Sequence, residues 1–251
     1  MEKTVLITGT TSGIGKAIAF KLAESQCKLI ITGRRVNLLS EIEKQLRTKT
    51  KVLALNFDIR DYKQVEKNIK SLPKDWTNID ILINNAGLAS GFSSIDEGDI
   101  NDWEVMIDTN IKGLLYMTKK VIPLMMSSPY KHIINIGSIA GKEVYPNGNV
   151  YCATKFAVDA LSKAMRIDLI EKGFKVTAVN PGMVETEFSL VRFKGNKERA
   201  EKVYDGIQPL KGEDIAHIID FIISLPPHVN INDILIMPTA QATSTIVNRK
   251  L

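Results

Sequence analysis

Short apolar, β-branched runs alternate along the chain with longer amphipathic stretches whose apolar residues recur at the helical period. Several of the short runs are apolar at nearly every position, which is typical of strands buried on both faces of a sheet. Strands are predicted at Thr4–Thr8, Lys28–Thr32, Val52–Phe57, Ile79–Asn84, His132–Ile136, Val176–Asn180 and Ile234–Met237. Helices are predicted at Gly13–Ser25, Val36–Leu46, Tyr62–Leu72, Asn101–Met126, Val150–Glu171 and Gly212–Ser224. This alternation predicts an α/β fold, a Rossmann-type doubly wound parallel sheet of about seven strands with helices on both faces.

The chain contains no linker, low-complexity segment or repeat, so residues 1–251 are expected to form a single domain. One less regular stretch, Glu187–Ile207, lies between the sixth predicted strand and the last predicted helix. Ligands of open α/β sheets bind at the carboxyl ends of the strands. We therefore predict that residues 187–207 are an insertion that covers the substrate as a lid.

Composition and charge narrow the class of protein. Hydrophobic residues make up 44% and charged residues 24% of the 251 residues, as in soluble globular proteins. The net charge of +5 comes from basic residues scattered among acidic ones, so we expect a solvated surface and no nucleic-acid partner. No apolar run is long enough to span a bilayer, the N-terminus lacks a signal-peptide pattern, and two isolated cysteines indicate reduced thiols. We expect a cytoplasmic protein without membrane contact and, since its three histidines lack ligand spacing, without a metal site.

A glycine-rich turn joins the first predicted strand to the first predicted helix. The segment Thr8–Gly15 places Gly9 where the chain leaves the strand, Gly13 where backbone N–H groups would approach a pyrophosphate, and Gly15 where helix and strand pack closely. The helix N-terminus then faces the negative charge of the ligand. This pattern favours a dinucleotide-binding loop, with an ordinary strand-to-helix turn as the alternative.

The ends of the second and third predicted strands indicate which dinucleotide is bound. Arg34 and Arg35 stand where an acidic residue would hold the ribose 2′-hydroxyl of NAD, and guanidinium groups favour a 2′-phosphate instead. The cofactor predicted is therefore NADP, with a solvated basic turn as the alternative. Asp58 could contact the adenine edge or could cap the helix that begins near Asp61.

Four polar residues are candidates for the reacting centre. Tyr151 and Lys155 are four residues apart on one helix face, and an ammonium group beside a phenol lowers the phenol pKa from about 10 towards neutrality. Such a tyrosine can act as a general acid or base. Ser138 follows the fifth predicted strand, where its hydroxyl could hold a substrate oxygen. Asn110 lies within a predicted helix, and ordinary solvated polarity is the simplest role for it.

Taken together, these motifs resemble the classical short-chain dehydrogenase/reductase family over nearly the full length of the chain. The matching pieces, in family order, are Thr8–Gly15, Asn84-Asn85-Ala86-Gly87, Asn110, Ser138, Tyr151-x-x-x-Lys155 and Pro181-Gly182.

The resemblance implies a role for each matching residue. Ser138 would orient the carbonyl oxygen, Tyr151 would exchange the proton, and Lys155 would lower the pKa of Tyr151 and bind the nicotinamide ribose. Asn110 would hold a water of the proton relay, and the segment Pro181–Ser189 would close over the nicotinamide. The catalytic set implied is Asn110, Ser138, Tyr151 and Lys155. The cofactor-binding set implied is Gly9, Thr10, Thr11, Ser12, Gly13, Ile14, Gly15, Arg34, Arg35, Asp58, Ile59, Asn85, Ala86, Gly87, Tyr151, Lys155, Pro181, Gly182, Val184 and Thr186.

A narrower resemblance, to NADP-dependent 3-hydroxy acid dehydrogenases that are also described as serine or L-allo-threonine dehydrogenases, is carried by four stretches. These are Trp103–Asn110, Val150–Lys155, Thr186–Gly195 and Leu225–Asn232. It implies an NADP(H)-dependent oxidoreductase that transfers a hydride between nicotinamide and a small 3-hydroxy acid or its semialdehyde, such as serine, L-allo-threonine or 3-hydroxypropionate and malonic semialdehyde. The segment Lys142-Glu143-Val144 departs from this group, where aromatic and proline residues are often found.

Two alternatives remain. A reductase of sulfoacetaldehyde or another short aldehyde is similar in sequence, and a non-catalytic NADP-sensing scaffold could share the fold. Both long predicted helices, Asn101–Met126 and Val150–Glu171, carry more apolar residues than one sheet face covers. With the family resemblance, this predicts a homotetramer of 222 symmetry.

Arg192 is the candidate anchor for the substrate acid group. It follows Pro181-Gly182 by ten residues inside the predicted lid, and its planar fork suits a carboxylate. The predicted substrate contacts are therefore Ser138, Tyr151 and Arg192, with Lys194 as the second candidate anchor. The structural alternative is that Arg192 pairs with an acid such as Glu187 or across a subunit interface.

Overall fold

The computed structural model describes residues 2–250 and contains a seven-stranded, fully parallel sheet. The strand order is β3-β2-β1-β4-β5-β6-β7. The strands are β1 (Thr4–Ile7), β2 (Lys28–Gly33), β3 (Val52–Asn56), β4 (Ile81–Asn84), β5 (His132–Ile136), β6 (Lys175–Pro181) and β7 (Asp233–Ile236). The predicted fold class is confirmed.

Nine α-helices connect or flank these strands within residues 2–250. They are α1 (Gly13–Glu24), α2 (Val36–Leu46), α3 (Tyr62–Lys70), α4 (Ile100–Ile107), α5 (Leu114–Met125), α6 (Asn149–Leu169), α7 (Phe188–Arg192), α8 (Lys197–Lys202) and α9 (Gly212–Ser224). None of the helices in this part of the chain is long and apolar enough to cross a membrane.

Two hydrophobic layers lie on opposite faces of the sheet. Alternate residues of a strand point to opposite faces, so Val5 and Ile7 join the layer formed with α1, α2 and α9, whereas Leu6 joins the layer formed with α3, α5 and α6. All three side chains are fully buried. Burial on both faces explains why the strand sequences are almost continuously apolar.

One predicted helix is divided in the structure. The stretch predicted as one helix from Asn101 to Met126 consists of α4, a π-helical turn at Asp108–Gly113, and α5. Hydrophobic periodicity does not reveal this wider turn, which packs Gly113 against Ile59 and turns the Asn110 side chain towards the chain after β4. Elsewhere no end of a predicted element moves by more than two residues. The predicted lid, residues 187–207, contains two short helices, α7 and α8.

Candidate active site

A cavity of about 360 Å³ opens at the carboxyl ends of β1, β2, β4, β5 and β6. The strand order reverses beside β1, which lies between β2 and β4, and open sheets of this kind bind ligands at that point. The cavity is lined by most of the predicted site residues: Gly9, Thr11, Ser12, Gly13, Ile14, Gly15, Arg34, Arg35, Asp58, Ile59, Asn85, Ala86, Gly87, Ser138, Tyr151, Lys155, Pro181, Gly182, Val184 and Thr186. Three others, Thr10, Asn110 and Arg192, do not line it.

The glycine-rich turn brings backbone to the cavity wall. Gly9 has a φ of +71°, and a Cβ there would lie 2.9 Å from the Ala86 Cα. A side chain at Gly9 would therefore strain the backbone and clash with the segment after β4. Helix α1 begins at Gly13, so its N-terminal N–H groups face the cavity as an anion-binding helix end does.

Thr10 stabilises the glycine-rich turn and does not line the cavity. Its N–H and its hydroxyl both donate to the Thr32 carbonyl, at 3.0 and 3.2 Å, and its side chain is fully buried. Both groups fasten the turn to the end of β2, and Thr10 does not line the cavity, so its position gives no support to the predicted cofactor contact.

Charged side chains cross the mouth of the cavity at the ends of β2 and β3. The Arg35 Nη1 lies 2.8 Å from the Glu187 carboxylate of the lid, and its Nε donates to the Thr11 hydroxyl at 3.2 Å. The Arg34 Nη1 lies 3.6 Å from Asp58. Both guanidinium groups are partly exposed and line the cavity, so they remain accessible to an anionic ligand.

Asp58 is held by an arginine that sequence reasoning did not identify. The Arg60 Nε donates to both Asp58 carboxylate oxygens, at 3.0 and 2.9 Å. Burial alone would raise the pKa of Asp58, but the hydrogen bonds and charge of Arg60 outweigh it and hold the pKa below its ordinary value. Asp61, not Asp58, caps α3, by accepting from the Lys63 and Gln64 N–H groups. The capping alternative for Asp58 is therefore wrong.

Ser138, Tyr151 and Lys155 converge at the inner end of the cavity, and each is at most 9% exposed. Ser138 follows β5, and its hydroxyl accepts from the Ala140 N–H at 3.1 Å. Tyr151 and Lys155 lie one turn apart on α6, with the Lys155 Nζ 5.9 Å from the centre of the Tyr151 ring. That Nζ donates to the Ile136 carbonyl at 2.9 Å, which fixes it beneath the site.

Burial dominates the titration of these two side chains. It raises the pKa of Tyr151 above its ordinary value, and the nearby Tyr145 adds to that rise, against the hydrogen bond with Ser138. Burial also lowers the pKa of Lys155 to about 8. The pKa of Tyr151 is thus not lowered as the sequence predicted, because desolvation of the phenolate is the largest effect. At neutral pH the Tyr151 phenol is therefore neutral, and it lies beside a lysine whose pKa is well below its ordinary value.

Asn110 is a buried brace within the π-helical turn. Its Nδ2 donates to the Leu88 carbonyl at 2.8 Å and to the Thr154 hydroxyl at 3.0 Å, and its Oδ1 accepts from the Leu88 N–H at 2.9 Å. The solvated-helix interpretation is therefore wrong, since this side chain is 2% exposed. It ties the segment after β4 to α6 at Thr154, the residue directly before Lys155.

Arg192 lies beside Tyr151 in an aromatic surround. The guanidinium carbon is 4.7, 5.3 and 5.5 Å from the ring centres of Phe92, Tyr145 and Tyr151, and Nη1 donates to the Tyr145 hydroxyl at 2.9 Å. The Arg192 Nε is buried and has no partner within residues 2–250. With Tyr151 it lines a smaller second cavity next to the first. The sequence around Arg192 did not predict these three rings, because they are distant from it in the chain.

The two other predictions for the lid have clear outcomes. Glu187 pairs with Arg35 and not with Arg192, so that structural alternative is wrong within one chain. Lys194, the second candidate anchor, lies 2.9 Å from Asp102 and 3.5 Å from Asp99. Its charge is already matched by two carboxylates, which leaves Arg192 as the better candidate.

Comparison with known proteins agrees with this geometry. The family model for short chain dehydrogenases matches residues 3–197. The chain belongs to the short-chain dehydrogenase family. This confirms the family resemblance and identifies the protein as a dehydrogenase by family.

Full-length relatives of this short-chain dehydrogenase are similarly named. The NADP-dependent 3-hydroxy acid dehydrogenase of Schizosaccharomyces pombe is 44% identical over 251 residues, covering 99% of this chain and 97% of that protein. The protein of the same name from Escherichia coli (strain K12) is 45% identical over 239 residues, covering 95% and 96%. A solved structure described as the closed form of serine dehydrogenase complexed with NADP+ superposes with a TM-score of 0.92 at 43% identity, covering 99% of this chain and 100% of that one.

Proposed function

We propose that this short-chain dehydrogenase is an NADP(H)-dependent oxidoreductase that acts on a small 3-hydroxy acid or its semialdehyde. The observation that carries the substrate class is Arg192, whose buried Nε lacks a partner beside the Tyr151 ring. Buried donors of native proteins are almost always bonded, so this one points to an acceptor supplied by a ligand. The names of the full-length relatives support the same class.

The residues around the larger cavity fit a dinucleotide phosphate. The Gly9–Gly15 turn and the N-terminus of α1 would hold the pyrophosphate, and a Cβ at Gly9 would obstruct that wall. Arg34 and Arg35 would hold the 2′-phosphate through charge-assisted hydrogen bonds. The ribose and nicotinamide would lie along Asn85, Lys155 and the Pro181–Thr186 segment. When bound, NADP(H) supplies or accepts the hydride.

The side chains at the inner end of the cavity would handle the proton. During reduction the Ser138 hydroxyl holds the carbonyl oxygen, and the neutral Tyr151 phenol donates its proton to that oxygen. During oxidation Tyr151 takes the proton back from the alcohol. The Lys155 ammonium lies close enough to stabilise the phenolate that forms. The raised pKa of Tyr151 keeps the phenol protonated at neutral pH, which suits proton donation.

Arg192 would bind the acid group of the substrate. A carboxylate at this guanidinium would lie next to Tyr151, and the surrounding rings would keep water out. A sulfonate offers the same acceptor oxygens, so sulfoacetaldehyde is the second candidate substrate. A non-catalytic NADP-sensing scaffold has no need for a buried arginine beside Tyr151.

Two further properties belong to the proposal. The exposed Ile107, Leu115 and Phe156 side chains, on α4, α5 and α6, support burial of these helices in a homotetramer. The thiols of Cys27 and Cys152 are free and buried, which fits the reducing cytoplasm.

An assay of NADPH oxidation tests the function directly. The panel consists of malonic semialdehyde, sulfoacetaldehyde and propanal, with L-allo-threonine and NADP+ for the reverse direction. We expect turnover of an acidic aldehyde, and a loss of at least about 100-fold in Tyr151→Phe with NADPH binding retained. An inactive wild-type protein that binds NADPH would favour the scaffold, and preference for sulfoacetaldehyde would favour the second candidate.

The role of Arg192 has its own test. In Arg192→Met, kcat/KM for the acidic aldehydes should fall by at least about tenfold, which corresponds to roughly 1.4 kcal/mol, while propanal turnover changes far less. Lys194→Met is the matched control, because its ammonium group is engaged by Asp102 and Asp99. Equal losses for acidic and neutral substrates in Arg192→Met would show that this arginine is structural.

A further inference from the structure

A charged network lies behind Ser138, outside the cavity. Lys142 follows the short 3₁₀ turn Ile139–Gly141, and its Nζ donates to Asp159 at 2.6 Å and to Asp233 at 2.7 Å. Asp159 is on α6, and Asp233 is the first residue of β7. One ammonium group therefore connects the loop after Ser138 with the helix that carries Tyr151 and with the last strand.

Asn180 provides a second connection between this network and Ser138. Asn180, near the end of β6, donates its Nδ2 to Asp233 at 3.1 Å and accepts the Ser138 backbone N–H on its Oδ1 at 3.3 Å. Asn180 is 1% exposed, and a Cβ at Gly137 would lie only 2.0 Å from its Oδ1. The backbone around Ser138 is thus clamped against this amide, and the amide is held by the carboxylate that Lys142 binds.

The charges of the network depend on Lys142. The Asp159 side chain is 10% exposed and the Asp233 side chain 35%, and both accept from the same ammonium group. Burial alone would lower the pKa of Lys142, but the hydrogen bonds that its ammonium donates to the two carboxylates, together with their charges, outweigh burial and raise the pKa. Loss of this ammonium would leave two neighbouring carboxylates without their shared counter-charge, and like charges at this range repel.

Lys163 offers a contrast within the same network. It contacts the other Asp159 oxygen at 2.7 Å, yet its side chain is 60% exposed and it connects two positions of the same helix. It bridges no separate elements, so its removal leaves the Ser138 loop and α6 joined. The Lys163 ammonium is itself exposed, and Asp159 keeps Lys142 as a partner, so the loss of Lys163 should cost little stability.

We propose that Lys142 is a positioning residue that fixes the Ser138 loop relative to α6, and hence the Ser138 hydroxyl relative to the Tyr151 phenol. The proposal rests on the function proposed above, because Ser138 and Tyr151 share one substrate oxygen there. Reacting groups displaced by about 1 Å can lose about 100-fold in rate. Lys142, Asp159, Asp233 and Asn180 do not line the cavity, so their effect is expected in kcat and not in cofactor affinity.

The test is Lys142→Met in the full chain, with Lys163→Met as the matched control. Activity is measured with NADPH and the best aldehyde of the panel, and is expressed as kcat per NADPH site counted by fluorescence titration. We expect kcat per site to fall at least about tenfold in Lys142→Met, with the Kd for NADPH within twofold of wild type. Lys163→Met should keep both values within twofold. Lys142→Arg should recover most of the activity, since its fork can bridge the two carboxylates.

The possible outcomes separate a positioning role from a structural one. Partial unfolding would reduce the number of NADPH sites and the total activity in proportion, leaving kcat per site unchanged, and that result would overturn the proposal. An equal loss in Lys142→Met and Lys163→Met would overturn it as well. A wild-type chain that turns over none of the panel would refute the proposed function, and the positioning role with it.

Discussion

The buried Lys155 should reduce the stability of the folded chain, and its removal should reveal this. Its side chain is 7% exposed, and burial lowers its pKa from 10.5 to about 8. Methionine at this position has a similar length and no charge to desolvate. We therefore expect the cofactor-free Lys155→Met variant to be more stable than wild type at pH 7, although it should have little activity.

The size of the effect follows from the pKa shift. One pKa unit corresponds to about 1.4 kcal/mol, so a fall from 10.5 to about 8 represents about 3 kcal/mol of unfavourable free energy while the lysine is charged in both states. The variant also loses the hydrogen bond to the Ile136 carbonyl, which contributes on the order of 1 kcal/mol. The expected net gain is therefore about 2 kcal/mol at pH 7.

The pH dependence gives the sharper test. The pKa of Lys155 is lower in the folded state, so the charged lysine destabilises the fold fully below about pH 8. This destabilisation decreases between about pH 8 and 10.5, where the folded state loses the proton before the unfolded state does. It disappears above about pH 10.5, where the lysine is neutral in both states. Urea unfolding of both proteins at pH 7 and pH 10 should show the difference between them shrinking. Lys163→Met, an exposed lysine of the same helix, is the control and should change stability by less than about 0.5 kcal/mol. A Lys155→Met variant that is less stable than wild type at pH 7, or a difference independent of pH, would refute the reasoning.

Three further predictions concern the cofactor, acid stability and assembly. Replacing both Arg34 and Arg35 by leucine should raise the Kd for NADPH about tenfold or more and change the Kd for NADH little, because a charge-assisted contact contributes about 1.5–3 kcal/mol. Equal losses of affinity for the two cofactors in fluorescence titrations would contradict this prediction. His132 is 2% exposed with a pKa lowered by burial to about 3, so the protein should lose about 2 kcal/mol between pH 7.5 and 5 as the unfolded histidine protonates. Urea unfolding should show a flatter dependence in His132→Gln, and equal slopes would disprove this. Light scattering should give a tetramer of the 27.9 kDa chain, and a monomer at micromolar concentration would exclude it.

The parts of the fold that the sequence predicts are those set by local patterns. The strands are apolar because both faces are buried, and the glycine-rich turn has the spacing of a phosphate-binding loop. Both features depend on residues that are neighbours in the sequence. The bounds of the strands and the location of the turn at the cavity were therefore predictable. A motif predicts that a loop lines the ligand site, but it does not predict which side chains of the loop face the site. Thr10 is an example, since its hydroxyl donates to the Thr32 carbonyl instead.

Contacts between distant segments were not predictable. Tyr145 and Phe92 surround Arg192 although they are 47 and 100 residues away in the sequence, and nothing in their local patterns connects them. The π-helical turn at Asp108–Gly113 is equally hidden, since its residues keep a helical pattern. The contact of Arg60 with Asp58 was not predicted, because an arginine in a polar loop has the same local sequence pattern whether it is solvated or paired.

The interactions around the site differ in strength according to where they lie, and this difference has a functional consequence. The predicted lid contacts the rest of the protein through an exposed ion pair, Arg35 with Glu187, on the cofactor side and through Lys194 and the buried Asp102 on the other. An exposed pair is typically worth about 0–1 kcal/mol, so separating Arg35 from Glu187 costs little. Ser138 is held instead by buried groups such as Asn180, whose unpaired state would be costly. Separating Arg35 from Glu187 therefore breaks a weak contact, while the reacting side chains stay fixed relative to one another.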